Sequence, residues 1–140
     1  MLDTTELTDA VERFSDRLRA APQSRLQRGA AAEGLALARE LSVRAQRLEA
    51  PGERPRIMPD AGVFAVADQL LVAGRDLAEV LRTAPQEAAD TPDAAGAAGA
   101  VGASGRSTAA DAVGGAGAVD RSTMDAAVAL VRAAAARAEL

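Results

Sequence analysis

The chain has 140 residues, a mass of 14.2 kDa and a formal net charge of −4, which suits a single domain. It contains no Cys, His, Trp, Tyr, Lys or Asn. Their absence excludes disulfides, thiol catalysis, zinc sites built on Cys or His, and Schiff-base chemistry on Lys. All 16 basic residues are Arg, a bias typical of a GC-rich genome.

The larger apolar side chains are concentrated in the first part of the chain. Alanine supplies 37 residues, and of the 31 larger apolar residues (Leu, Val, Ile, Met and Phe) 23 lie within residues 1–84. The first ten residues lack the basic start and apolar stretch of a secretory signal. The most apolar window, residues 61–81, contains four charged residues, whereas a spanning helix needs about 20 nearly uncharged ones. We therefore expect a cytoplasmic protein without membrane segments.

A first helix is predicted over residues 4–21, with Asp3 as its cap and Pro22 at its end. Its apolar residues are spaced four, three and four apart, which places them on one narrow seam of the helix. Such a seam packs against one or two neighbouring helices at shallow angles. The seam consists of Leu7, Val11, Phe14 and Leu18.

A second, longer helix is predicted from an N-cap at Ser24 to Ala50, where Pro51 and Gly52 end it. Its apolar stripe is made mainly of leucines, and Gly34 lies at the edge of that stripe. A side chain this small lets another helix backbone come close. The stripe consists of Leu26, Ala30, Leu37, Leu41 and Leu48.

A proline-rich loop over residues 51–60 precedes the third predicted helix, residues 61–84. Ile57 and Met58 in the loop are expected to plug one end of the core, and Asp60 to cap the helix. The apolar face of this helix covers about 180° and needs more than one partner. Phe64 and Val72 lie on or beside its polar side, so they are predicted as exposed contacts. The residues of the wide face predicted for the interface or core include Leu70, Leu71, Leu77 and Leu81.

Residues 85–119 carry seven of the twelve glycines and only three large apolar residues. A segment of this composition cannot bury enough apolar area to offset the entropy of ordering, so we predict a flexible linker. A short amphipathic helix capped by Ser122 is predicted in residues 120–140. Its thin seam is Met124, Val128, Val131 and Ala135.

The predicted fold class is all-α, in three parts: a three-helix bundle over residues 1–84, a flexible Gly/Ala/Pro linker over residues 85–119, and a C-terminal amphipathic helix over residues 120–140. The spacing leaves open whether this last helix packs on its own bundle or on another protein.

No constellation of residues predicts catalysis. Without Lys there is no phosphate-binding P-loop, and the glycines at 114–117 follow no strand pattern. Asp76 and Glu79 lie one helical turn apart, but Arg75 and Arg82 lie among them and favour a solvated ion-pair face over a metal site. The serines have no His or Lys to activate them. We therefore expect neither an enzyme nor a cofactor.

The remaining prediction is an interaction or scaffold module. The wide face of the third helix exceeds what the narrow first helix can cover, so the protein is expected to bind a protein partner or another copy of itself. The contacts predicted are the six side chains above from Phe64 to Leu81, and Met124, Val128 and Val131 of the last helix. The alternatives are a bundle that merely leaves some apolar residues exposed, or a small regulator binding nucleic acid. Nucleic acid is the less favoured partner, because acids interleave with the Arg-rich residues 13–56, among them Arg39, Arg44 and Arg47.

Overall fold

The computed structural model describes residues 2–84 and 121–140, and over these residues the protein is all-α and contains no strand, as predicted. The linker predicted over residues 85–119 lies outside the described residues. A π-helical turn, Leu26–Ala30, joins the second helix to the third. The helices are α1 (Thr5–Ala20), α2 (a single turn, Gln23–Arg25), α3 (Ala31–Glu49), α4 (Val66–Thr83) and α5 (Arg121–Ala138).

The four long helices surround one core, with α4 and α5 on opposite sides of the α1 and α3 pair. Arg19 at the end of α1 bonds Asp68 at the start of α4, with 2.6 Å between Nη2 and Oδ1, so these two helices are antiparallel. Gly34, at the start of α3, lies against Val66, the first residue of α4. Helices α3 and α4 therefore run in the same direction.

Because α3 and α4 are parallel, residues 50–65 must run the length of the bundle to connect them. Helix α3 has 19 residues, which makes it about 28 Å long. Prolines in the loop favour an extended chain that rises about 3.1 Å per residue, so about ten residues cover this distance. The proline-rich composition thus serves a crossover between parallel helices.

Side chains of α3 and α4 hold this loop by its backbone. Gln46 pairs with both peptide groups of Arg56: its Nε2 donates to the carbonyl oxygen and its Oε1 accepts from the amide, each at 2.8 Å. Arg39 Nε donates to the Met58 carbonyl oxygen at 2.7 Å. Gln69 Nε2 donates to the Pro59 carbonyl oxygen at 2.9 Å. The loop is therefore fixed at three successive points along the bundle.

The core joins all four long helices, and two glycines set how closely they approach. A Cβ built on Gly74 would lie 2.6 Å from Val11 Cγ1, and one on Gly34 would lie 2.7 Å from Val66 Cγ1. The hydroxyl of Ser15, itself fully buried, donates to the Ala67 carbonyl oxygen at 2.8 Å. The largest fully buried apolar side chains are Phe14, Leu7, Leu41, Leu70, Leu77, Leu81, Met124, Val11, Val66 and Val131.

Several predicted local features differ from the structure. The second helix is interrupted at Gly29, whose φ of 147° breaks the helical path, and Ser24 makes no capping hydrogen bond there. Helix α4 begins at Val66 rather than at residue 61, because Asp60 closes a turn on the amide of Gly62 instead of capping a helix. Ile57 is exposed and plugs no core, since the loop runs along the side of the bundle, whereas Met58 is partly buried against the core.

Helix α5 packs on the bundle of its own chain, an arrangement that the sequence had left open. Ion pairs join it to two neighbouring helices: Arg132 Nη2 lies 3.0 Å from Glu6 Oε2 of α1, and Arg137 Nε lies 2.9 Å from Glu33 Oε1 of α3. Because the second pair joins the end of α5 to the start of α3, these helices are antiparallel. The C-terminal helix is thus the fourth wall of the core.

Candidate protein-interaction surface

Three large apolar side chains are exposed in the part of the chain that the structure describes, and all three lie between residues 57 and 72. The exposed fractions are 62% for Ile57 in the crossover loop, 71% for Phe64 in the turn before α4, and 56% for Val72 within α4. We call these three side chains the 57–72 surface. Ile57 was not expected in it, and the only sequence signal was the prolines on either side, which favour an extended, exposed chain.

Val72 lies on the outer face of α4, opposite the residues that α4 buries. Positions 68, 72 and 76 are one turn apart, so Val72 lies between the exposed carboxylates of Asp68 and Asp76. The hydrogen bond from Arg19 to Asp68 raises the pKa of the Arg19 guanidinium above its usual value. Asp76 has no ion-pair partner among the described residues. The outer face of α4 therefore combines one exposed apolar side chain with acidic neighbours.

The leucines predicted for the wide face of α4 lie inward. Leu70, Leu77 and Leu81 are fully buried, and Leu71 is half-buried against the core. Helices α1 and α3 together cover this face, so the narrow seam of α1 has to cover only part of it. In the structure these leucines hold α4 in the bundle.

The predicted seam of the C-terminal helix is also buried within the chain. Met124, Val128 and Val131 are each at most 3% exposed. Small residues on the same side of α5 let it lie close to α1 and α3, because Ala127, Ala134 and Ala138 are buried as well.

The three arginines of the nucleic-acid alternative have different surroundings. Arg39 donates to the Met58 carbonyl, and Arg44 Nε lies 2.9 Å from Glu40 Oε2 on the same helix. Arg47 is exposed and makes no ion pair with the described residues. Two of the three side chains are therefore engaged within the protein, and one is available to a ligand.

Arg47 lines a cavity of about 480 Å³ between the ends of α3 and α4 and the start of α5. Leu48, Leu77 and Leu81 form part of its apolar wall, and Glu53 adds a carboxylate. Both signs of charge border the opening, so the electrostatics favour neither an anion nor a cation.

Within residues 2–84 and 121–140, no cluster of three or more His, Cys, Asp or Glu side chains has the geometry of a metal site. Over the same residues, no helix combines the length and apolar character needed to cross a membrane. Comparison with known proteins found no matching family model, no matching curated protein and no matching solved structure.

Proposed function

We propose that this protein is a non-enzymatic cytoplasmic interaction module that binds a protein partner through the 57–72 surface. The observation that carries the proposal is the exposure of Ile57, Phe64 and Val72 beside a core that encloses the other large apolar side chains of α4 except half-buried Leu71. Helices α1 and α3 already cover the broad face of α4, so the partner is expected on the outer side.

Burial of these three side chains would contribute to the affinity for a partner. Full burial of a Val, Ile or Phe side chain is worth about 1.5–3 kcal/mol, and aromatic anchors such as Phe64 often dominate an interface. The loop that presents Ile57 is fixed by Gln46, Arg39 and Gln69. Little ordering entropy would therefore be lost when a partner binds.

The local charge around the 57–72 surface indicates which kind of partner surface would fit it. Residues 57–80 contain four acids (Asp60, Asp68, Asp76 and Glu79) against one arginine (Arg75), a local net charge of −3. A complementary surface carries an apolar patch bordered by basic side chains.

A photo-crosslinking experiment in the cell that produces the protein tests this proposal. Benzoylphenylalanine replaces Phe64 in one variant and exposed Ala126 of α5 in the matched control. We expect a covalent adduct of discrete mass from position 64 and none from position 126. Adding Val72→Asp should abolish the adduct while leaving the melting curve unchanged, because Val72 contributes little to the core. If position 64 gives no adduct that position 126 lacks, the proposed function is wrong.

A further inference from the structure

Eight described arginines make no ion pair with a described carboxylate, and four of them lie between residues 13 and 28: Arg13, Arg17, Arg25 and Arg28. The other four are Arg39, Arg47, Arg54 and Arg56. Within the described part of the chain, Arg25 Nη1 donates to the Glu139 carbonyl oxygen at 2.7 Å. The described arginines after residue 60 behave differently, since each of them lies within 4 Å of an Asp or Glu. These are Arg75, Arg82, Arg121, Arg132 and Arg137.

The four arginines line three neighbouring depressions that share lining residues, and we call these depressions together the Arg groove. Its first part, about 360 Å³, lies between α1 and α5 and is lined by Arg13 and Arg17. A second part of about 310 Å³ shares Arg17 and adds Arg25. The third, about 370 Å³, shares Arg25 and adds Arg28, and it is also lined by Arg137 and by the carboxylate residues Glu33 and Glu139. The groove therefore passes from the side of α1 to the turn that precedes α3.

The first part of the groove has a largely apolar floor, whereas the third part is lined mainly by charged side chains. Ala10, Phe14, Val131 and Ala135 line the first part. Phe14 is only 1% exposed, so it offers no ring face on which a base could stack. A phosphate backbone would pair with the arginines and leave the apolar floor unfilled. The combination favours a protein segment that carries carboxylates around an apolar side chain.

Such a segment is present on the outer face of α4. Asp68, Val72 and Asp76 follow one another at intervals of one helical turn, so the two carboxylates are about 12 Å apart along the helix with Val72 between them. We call these three residues the α4 row. Asp76 has no ion-pair partner among the described residues, and neither do the four arginines that define the groove. Asp68 already pairs with Arg19 Nη2 at 2.6 Å, so the complementarity of the two surfaces rests on Asp76 in charge and on Val72 in apolar character.

We propose that the Arg groove binds the α4 row of a second copy of this chain. This proposal rests on the proposed function, because Val72 belongs to the 57–72 surface. The groove and the row are different surfaces of one molecule, so the contact is head-to-tail. Each bound molecule keeps one groove or one row free, and association continues beyond the dimer unless a ring closes.

Sedimentation velocity of the full chain at increasing protein concentration tests the proposal with two variants. The groove variant is Arg13→Gln/Arg17→Gln, and the row variant is Val72→Ser/Asp76→Asn. All four positions are exposed, so circular dichroism should show unchanged folding. The control Arg47→Gln/Arg54→Gln changes the net charge as the groove variant does, but at exposed positions elsewhere.

We expect the wild type and the control to associate, with weaker association in high salt because exposed charges are screened. Each variant alone should associate at least about tenfold more weakly, a loss of about 1.4 kcal/mol. A mixture of the two variants should form dimers and nothing larger, because it contains one intact groove and one intact row per pair.

Three results would overturn the proposal. The first is a wild type that stays monomeric at every concentration, which leaves the proposed function standing if position 64 crosslinks to a different protein. The second is self-association that the groove variant retains. The third is a monomeric wild type that co-sediments with a single-stranded oligonucleotide when the groove variant does not, since the groove would then bind nucleic acid.

Discussion

Replacing Gly74 with Ala would measure how tightly α4 is packed against α1. A Cβ at this position would lie 2.6 Å from Val11 Cγ1, 2.8 Å from Cγ2 and 3.1 Å from Cβ. Carbon atoms in favourable contact are about 3.5–4.0 Å apart, so α1 must move away by about 0.9 Å. Val11 is branched at Cβ and stiff about χ1, and its carbons surround the new methyl group. Rotation of its side chain therefore offers no relief.

Two opposing effects determine the change in stability. Gly→Ala inside a helix stabilises by about 1 kcal/mol, whereas forcing an extra carbon into a packed core costs about 1–3 kcal/mol. The short contacts involve a stiff, fully buried side chain, so the packing cost should exceed the gain. We expect Gly74→Ala to lower the free energy of unfolding by about 1 kcal/mol.

Urea denaturation followed by far-UV circular dichroism measures this free energy. Ala36→Gly, at an exposed position of α3, calibrates the propensity effect without any packing change. In a double-mutant cycle, Val11→Ala removes the two methyl groups nearest the new Cβ. Val11→Ala/Gly74→Ala should therefore be more stable than the two single effects added together, by at least about 1 kcal/mol.

The reasoning fails if Gly74→Ala stabilises the protein by as much as Ala36→Gly destabilises it. It also fails if the effects of Val11→Ala and Gly74→Ala are additive. Either result would mean that α1 and α4 have room between them for a methyl group.

Three further predictions concern the chain's turns and ends. Gly29→Ala places a side chain at a φ of 147° and should lower the free energy of unfolding by about 1–2 kcal/mol. An unchanged midpoint of urea denaturation would contradict the break in the helical path at Gly29. Gln46→Leu removes both hydrogen bonds to Arg56 and should speed trypsin cleavage after Arg56 relative to the wild type, whereas equal rates would show that Gln46 does not hold the loop. Hydrogen bonds from Thr5 lower the pKa of Asp3 below its ordinary value of 3.8. Asp3 therefore stabilises the fold above that pH, and this contribution is lost as the pH falls through the lower pKa of Asp3 in the folded protein. Asp3→Asn should reduce the dependence of the free energy of unfolding on acid pH, measured by urea titration. An unchanged dependence would refute the role of Asp3.

Local spacing predicted the helices because helix formation depends on near neighbours in the chain. Leu7, Val11, Phe14 and Leu18 recur at helical intervals, and all four are buried in α1. The end of α1 also followed from the sequence, since Pro22 disfavours a helix through the residue before it. The same reasoning missed the interruption at Gly29, because a glycine inside a helical pattern is compatible with either a straight or a broken helix.

The sequence likewise predicted only part of the 57–72 surface. The exposure of Phe64 and Val72 was expected from their positions beside the polar side of the third helix. The exposure of Ile57 depends on the path of the crossover loop, which Gln46, Arg39 and Gln69 determine from two different helices. The grouping of unpaired arginines around one groove likewise depends on where α5 packs.

The sequence by itself determined that this protein is helical and which faces of its helices are apolar. It also identified apolar side chains that lie outside those faces, such as Phe64 and Val72. Only the tertiary structure decided that α3 and α4 run parallel and that α5 completes the core. The physical reason is separation along the chain: Glu33 and Arg137 are 104 residues apart, and periodicity within one helix carries no information about such a pairing.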